Sequence, residues 1–288
     1  MLTGPRGQNN GGVETPSRRL SSGLHAEMRY ASGGGWQLVV DGTPQSHVDP
    51  ERPELLVYEY VLQIGHVIDA LPPGPITAVH LGAGALTLPR YVEATRPGSR
   101  QQVIELEPLL VELVREVAPL PRGAQVRVRY GDAREQLSRL PAGLRGAAEL
   151  VVVDVFSGSQ TPAHVTTVEF HALARELLAP AGVVVVNIAD DRSLGFAKRQ
   201  LAALLEVHGQ TAALADPGML KGRRFGNVVA VAGAALPDLE SIGRALRRDP
   251  LPGKVVAGAE LRRFLGGALP ARDADATPSP APNRGVFG

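Results

Sequence analysis

The sequence predicts an α/β protein built on a mostly parallel sheet with helices on both faces, preceded by a small β-hairpin segment. From residue 76 onward, short runs rich in β-branched residues alternate with helix-like segments at intervals of roughly 20 to 30 residues. These runs are apolar on both faces of a strand, as expected for strands that are covered by helices on each side. Together the two observations indicate a Rossmann-like sheet.

Each element follows from a local pattern. Strands are expected at residues 76–81, 102–106, 125–130, 150–155 and 183–188, and covering helices at 107–118, 133–140, 167–178 and 194–207. Runs at 211–214 and 227–232 suit an edge hairpin. Upstream, Trp36–Val40 leads into the turn dipeptide Asp41-Gly42, which predicts a small hairpin that reaches Gln45 and Ser46. Residues 55–71 have helical spacing and stop at Pro72-Pro73-Gly74.

These patterns divide the chain into four parts. Residues 1–34 are rich in Gly, Ser and Arg, and residues 268–288 run through Pro, Ala and Asp without periodicity, so both ends are expected to be disordered tails. Residues 35–71 are expected to form a small β segment and a linking helix. Residues 72–267 are expected to form the Rossmann-like nucleoside-binding domain.

Composition excludes several functional classes. The 288 residues carry 30 basic and 29 acidic side chains, a net charge of +1, so no bulk field attracts nucleic acid or an anionic membrane. Apolar runs fall short of the ~20 residues that span a bilayer, and no signal segment is visible, which predicts a cytoplasmic protein. The chain has no cysteine and seven scattered histidines, so no metal site is expected.

The candidate site residues stand at the carboxyl ends of successive strands. Gly82 and Gly84 form a glycine turn between a strand and a helix, where the backbone can approach a ligand closely, although such turns are also purely structural. Glu105 ends the second strand about 20 residues later, where an acid can accept both hydroxyls of a ribose. Glu107 and Pro108 fit the first turn of the next helix instead.

Two further acids follow the next two strands. Asp132 can accept a hydrogen bond from an exocyclic amine such as that of adenine, or it can cap the following helix. Asp154 ends an apolar strand, at the edge that faces the ligand crevice of such sheets. Because the carboxyl ends of parallel strands meet at one edge, we expect Glu105, Asp132 and Asp154 to converge on one pocket.

Taken together, these residues resemble the spermidine synthase family, whose fold is that of class I AdoMet-dependent methyltransferases. The resemblance covers about residues 36–233 and includes the stretch from Asp154 to Phe170. It implies aminopropyl transfer from decarboxylated AdoMet to a polyamine acceptor such as putrescine, with Asp154 as the catalytic acid–base group. It further implies Gln45, Gly82, Gly84, Glu105 and Asp132 as nucleoside contacts and Tyr58 and His66 as lining of the amine channel.

The chain also departs from the family pattern. The family's aspartate for the aminopropyl amine is matched by Ala85, and a second acid after the catalytic aspartate is matched by Ser157. Two alternatives therefore stay open: an AdoMet-dependent methyltransferase of unknown acceptor, and a noncatalytic nucleoside-binding homologue. His66 has an alternative as a core histidine on an apolar helix. The resemblance implies a small-molecule amine as partner and allows a homo-oligomer.

Overall fold

The computed structural model describes residues 15–281, which form a small antiparallel sheet and a larger eight-stranded sheet. The small sheet has the order β1-β2-β3-β4. Its strands are β1 (Ser17–Arg19), β2 (His25–Tyr30), β3 (Trp36–Val40) and β4 (Thr43–Val48). The expected hairpin is confirmed as β3 and β4, since Asp41 and Gly42 both have the positive φ that a tight two-residue turn requires.

The large sheet has the order β12-β10-β11-β9-β8-β5-β6-β7. The strands from β9 to β7 are parallel, and β11 and β12 run antiparallel to their neighbours. The strands are β5 (Thr77–Leu81), β6 (Arg100–Glu105), β7 (Val126–Tyr130), β8 (Ala148–Val153), β9 (Leu178–Asp190), β10 (Gln210–Ala215), β11 (Gly226–Gly233) and β12 (Lys254–Ala257). The expected Rossmann-like sheet is therefore confirmed, although β12 lies outside the pair that was expected to form the edge.

Helices cover both faces of the large sheet. They are α1 (Glu59–Asp69), α2 (Thr87–Thr95), α3 (Pro108–Val117), α4 (Ala133–Arg139), α5 (Val168–Arg175), α6 (Gly195–His208), α7 (Pro217–Leu220), α8 (Leu239–Leu246) and α9 (Gly258–Leu265). Successive residues of β8 face opposite layers: Val151 packs in the core under α4, α5, α6 and α9, and Val152 packs in the core under α1, α2 and α8. A third core joins α3 to the small sheet.

The amino-terminal segment differs from the expectation of a disordered tail. Ala26 and Met28 of β2 are fully buried against α3, and β2 pairs with β3 along its length. The alternation of small apolar and charged residues in β2 gives only a weak signal, because the buried face holds just these two apolar side chains. The remainder of that expectation, residues 1–14, lies outside the described residues.

The carboxyl-terminal segment also differs from a disordered tail. Residues 268–281 form no helix or strand, yet Ala271 and Ser279 are buried. The amide of Ser279 donates to the carbonyl of Thr161, and Arg134 pairs with Asp273 at 2.6 Å. Backbone hydrogen bonds and ion pairs thus hold a segment that lacks hydrophobic periodicity. Residues 282–288 lie outside the described residues.

Within residues 15–281, none of the helices has both the length and the apolar character needed to cross a bilayer.

Candidate active site

A cavity of about 490 Å³ lies where the carboxyl ends of β5, β6 and β8 meet the small sheet. The chain leaves β5 toward β6 on one side and returns to β8 on the other, so the crevice stands at the point where the strand order reverses. Gln37, Leu38, Val40 and Gln45 of the small sheet line the cavity opposite the strand ends. The volume falls in the range of small-molecule sites, which is roughly 300 to 1,000 Å³.

The glycine turn lies on the cavity wall in a conformation that excludes side chains. Gly82 has φ of 93°, and a Cβ atom there would stand 2.1 Å from the backbone oxygen of Asp154. Gly84 has φ of 48° and approaches the side chain of Ser46 on β4. The glycines therefore let β5 pack directly against the loop that follows β8, and they keep backbone exposed to the cavity.

Glu105 joins the glycine turn to β6. One carboxylate oxygen accepts the amide of Ala83 at 2.9 Å, and the other accepts the amide of Glu107 at 2.9 Å. Burial raises the pKa of Glu105, and these amide hydrogen bonds offset part of that rise. Each oxygen keeps a further lone pair, so the carboxylate can still accept hydroxyl groups from a ligand. Its contact with a ribose remains a prediction.

Asp154 lies just after β8 on the cavity wall, with a hydrogen bond to each oxygen. The side-chain amide of Asn187 donates to Oδ1 at 2.8 Å, and the hydroxyl of Tyr60 donates to Oδ2 at 3.3 Å. Burial raises the pKa of Asp154 against the lowering effect of these two donors. Burial and the nearby Asp154 charge raise the pKa of Tyr60 well above its usual value, so the phenol stays protonated and donates. A carboxylate whose pKa is raised above the usual aspartate value is a stronger proton acceptor than a free aspartate.

Tyr58 and Gln45 also line the cavity, as the sequence predicts. The Tyr58 hydroxyl accepts a hydrogen bond from Gln37 on β3 at 3.0 Å. Gln45 on β4 donates to the carbonyl of Gly158 at 3.2 Å, which ties the small sheet to the loop after β8. The small sheet is therefore the second wall of the site.

Asp132 and His66 do not belong to the cavity wall. Asp132 caps α4: its Oδ1 accepts the amides of Arg134 and Glu135, and its Oδ2 lies 2.6 Å from His164 Nε2. Although partial burial raises the pKa of Asp132, these hydrogen bonds outweigh it and lower the pKa. The expected convergence of three carboxylates is thus corrected to two, because both oxygens of Asp132 serve the helix end and His164.

The position of His66 corrects a second expectation. It lies two turns into α1, where the rotation of the helix turns its side chain away from the wall formed by Tyr58 and Tyr60. Its Nε2 is 2.8 Å from Asp249, which follows α8. The contact joins α1 to the segment after α8, and His66 is not among the described residues that line the cavity.

Several polar residues of the wall were not among the predicted site residues, and four of them make contacts that shape the site. Asn187 interrupts the valine run of β9 and is 3% exposed. A polar residue inside an apolar strand needs a hydrogen-bond partner, so its position in the sequence could have indicated a role in the site. Tyr60 stands in the first turn of α1, and Asn227 lies on β11. Glu107 does more than begin a helix, since its carboxylate accepts the amides of Ser21 and Ser22.

The charge of the wall has one sign. Among the described lining residues, the charged side chains are Glu105, Glu107 and Asp154, and lysine and arginine are absent. His80 also lines the cavity, and burial lowers its pKa to about 4 despite a hydrogen bond with Gln101 that acts in the opposite direction. His80 is therefore neutral near pH 7, and the cavity favours a cationic ligand.

Comparison with known proteins is consistent with these observations. No family model matches the chain. A polyamine aminopropyltransferase of Vibrio vulnificus is 29% identical over 116 residues, which are 40% of this chain and 38% of that protein. One of Neisseria meningitidis serogroup A is 27% identical over 187 residues, or 60% of this chain and 68% of that protein. The match thus spans well under half the length of the Vibrio relative.

The similarity to a solved structure is more extensive. A probable spermidine synthase from Corynebacterium glutamicum is 31% identical, has a TM-score of 0.82, and aligns over 90% of this chain and 96% of its own. The chain therefore belongs to the spermidine synthase family.

Proposed function

We propose that the chain transfers the aminopropyl group of decarboxylated AdoMet to a primary amine of the polyamine class, such as putrescine. The observation that carries this proposal is the charge of the cavity wall, where three carboxylates face no lysine or arginine among the described residues. Decarboxylated AdoMet presents a sulfonium and an ammonium group, both cationic. AdoMet adds a carboxylate, which this wall would repel, so the charge favours aminopropyl transfer over the methyltransferase alternative.

The reaction needs one bond to form and one to break. A neutral amine attacks the methylene carbon beside the sulfonium, the carbon–sulfur bond breaks, and its electron pair converts the sulfonium to a neutral thioether. The attacking nitrogen loses one proton, and Asp154 is proposed to accept it. The sulfonium is already an activated leaving group, so the chain's work is to hold the two partners in line and to take the proton.

The residues divide between the two substrates. Glu105 is proposed to accept the ribose hydroxyls, and Gly82 and Gly84 to let the backbone approach the nucleoside. Gln45 is proposed to contact the nucleoside from the small sheet, and Tyr58 to line the amine channel. Ala85 is fully buried in the core that joins α3 to the small sheet, so the aminopropyl ammonium relies on the other carboxylates of the wall.

Mass spectrometry tests the proposal directly. The protein is incubated with decarboxylated AdoMet and putrescine, and spermidine and methylthioadenosine are quantified. We expect both products in equal amounts, with formation at least about 100-fold slower for Asp154→Asn. Methyl transfer from AdoMet to putrescine, or the absence of product while the nucleoside binds, would contradict the proposal and favour one of the two alternatives.

A further inference from the structure

Two asparagines form a hydrogen-bonded chain that ends on Asp154. Asn227 Nδ2 donates to Asn187 Oδ1 at 2.8 Å, and Asn187 Nδ2 donates to Asp154 Oδ1 at 2.8 Å. Asn187 lies on β9 and Asn227 on the neighbouring antiparallel strand β11, where Asn187 pairs with Val229. Since Asn227 is two residues from Val229, both asparagines project from the same face of the sheet.

The charge of Asp154 fixes the direction of this row of hydrogen bonds. An ionised carboxylate can only accept, so Asn187 must present its amide nitrogen to Asp154 and its carbonyl oxygen to Asn227. Asn227 must then present its own nitrogen to Asn187. Within the described part of the chain, Oδ1 of Asn227 receives no hydrogen bond, and Asn227 lines the cavity at this end. This row of hydrogen bonds thus leaves an oriented carbonyl oxygen on the wall of the cavity that Asp154 also lines.

We propose that Asn227 binds the acceptor amine through this side-chain oxygen, and that Asn187 is a positioning residue that aligns Asn227 with Asp154. The inference rests on the proposed aminopropyl transfer. A neutral primary amine has two N–H donors and one lone pair. When Asp154 accepts one N–H and Asn227 accepts the other, the lone pair is the one remaining direction on nitrogen and points at the sulfonium methylene.

The hydrogen-bonding capacity of Asp154 agrees with this arrangement. One oxygen accepts a hydrogen bond from the Asn187 amide and the other from the Tyr60 hydroxyl. Both donors are neutral, so they do not compensate the negative charge of the carboxylate, and each oxygen has a further lone pair for the amine. After attack, the nitrogen carries a positive charge and passes one proton to Asp154. Its remaining N–H continues to donate to Asn227, so the product amine stays held while the thioether forms.

Truncation of Asn227 tests the binding role. Asn227→Leu removes the oxygen, and we expect KM for putrescine to rise about 10-fold or more, the effect of a lost hydrogen bond to a charged or reacting group. The Kd of decarboxylated AdoMet should stay within about twofold, since its expected contacts lie with Glu105 and the glycine turn. The matched control is Gln210→Leu, which replaces an exposed amide on β10 that donates to the carbonyl of Ala234. It should leave both constants unchanged.

Asn187→Leu separates positioning from binding. Its amide lowers the pKa of Asp154, so its removal should move the acid limb of the kcat/KM profile to higher pH. The other titratable groups of the wall are Tyr58 and Tyr60, whose pKa values burial raises, His80, whose pKa burial lowers to about 4, and two glutamates, Glu105 with a raised and Glu107 with a lowered pKa. Asn187 donates to Asp154 and to neither glutamate, so a difference in the acid limb between wild type and Asn187→Leu reports Asp154.

Binding measurements keep this inference distinct from the proposed function. Calorimetry measures putrescine binding to the protein saturated with methylthioadenosine. If wild type binds putrescine in this assay but forms no spermidine from decarboxylated AdoMet, and Asn227→Leu loses the binding, aminopropyl transfer is wrong and the role of Asn227 stands. An unchanged KM and Kd for putrescine in Asn227→Leu, or a wild-type protein that binds no putrescine, would overturn the role of Asn227.

Discussion

Gly82→Ala probes the contact between the glycine turn and the loop that carries Asp154. A methyl group at residue 82 would stand 2.1 Å from the backbone oxygen of Asp154, which no side-chain rotation can relieve. The φ of 93° alone costs about 1 to 2 kcal/mol for alanine, and overpacking against backbone adds about 1 to 3 kcal/mol. We expect the free energy of unfolding to fall by about 2 to 5 kcal/mol.

Gly123→Ala is the matched control. Gly123 has φ of 89°, close to that of Gly82, but a Cβ atom there meets nothing within 4 Å. Alanine at residue 123 therefore has the same unfavourable backbone conformation but no steric overlap. The difference between the two variants in the free energy of unfolding, measured by urea denaturation, gives the cost of the overlap with Asp154. Because relief of the overlap must displace Asp154, Gly82→Ala should also weaken binding of decarboxylated AdoMet. Equal losses of stability in the two variants would refute the close approach of β5 to the Asp154 loop.

Three further substitutions test individual carboxylates. Asp154→Asn should remove the acid limb of the kcat/KM profile, whose midpoint in wild type lies above the usual aspartate pKa. Since a raised pKa in the folded state means that the ionised carboxylate destabilises the fold, the free energy of unfolding of this variant at neutral pH should equal or exceed that of wild type. Asp132→Ala should cost about 1 kcal/mol through the lost cap of α4 and leave donor affinity unchanged in calorimetry; reduced affinity would restore Asp132 as a nucleoside contact. Its lowered pKa predicts that this stabilisation is present near neutral pH and lost as the pH falls through the acid range. Glu107→Gln should raise the KM for decarboxylated AdoMet several-fold, since the carboxylate holds Ser21 and Ser22 of the β1–β2 turn; an unchanged KM would show that this turn does not shape the site.

The sequence predicted the sheet and the edge at which the site lies, because apolar runs and the glycine turn are local signals. It placed Asp154, Glu105, Gly82 and Gly84 on the wall for the same reason: each ends a strand or follows one within three residues, and the apolar pattern fixes the positions of these strands. The large sheet could therefore be predicted from the local pattern of each strand, without knowing which residues far apart in the sequence are in contact.

The sequence did not predict which way the side chains of Asp132 and His66 point. Asp132 stands at the correct edge, but the unpaired amides of α4 and the nearby His164 take its oxygens. The side chain of His66 on α1 contacts Asp249, which lies 183 residues later in the sequence, instead of lining the cavity. The ordered ends escaped prediction because their contacts are backbone pairing and ion pairs rather than a periodic apolar face.

Calorimetry with decarboxylated AdoMet and AdoMet, at equal pH and ionic strength, tests the central claim most directly. A wall of carboxylates without a lysine or arginine partner predicts that the decarboxylated compound binds at least about 10-fold more tightly, and that added salt narrows this preference. Tighter binding of AdoMet, or no binding of either compound, would contradict a cavity built for a cationic aminopropyl donor.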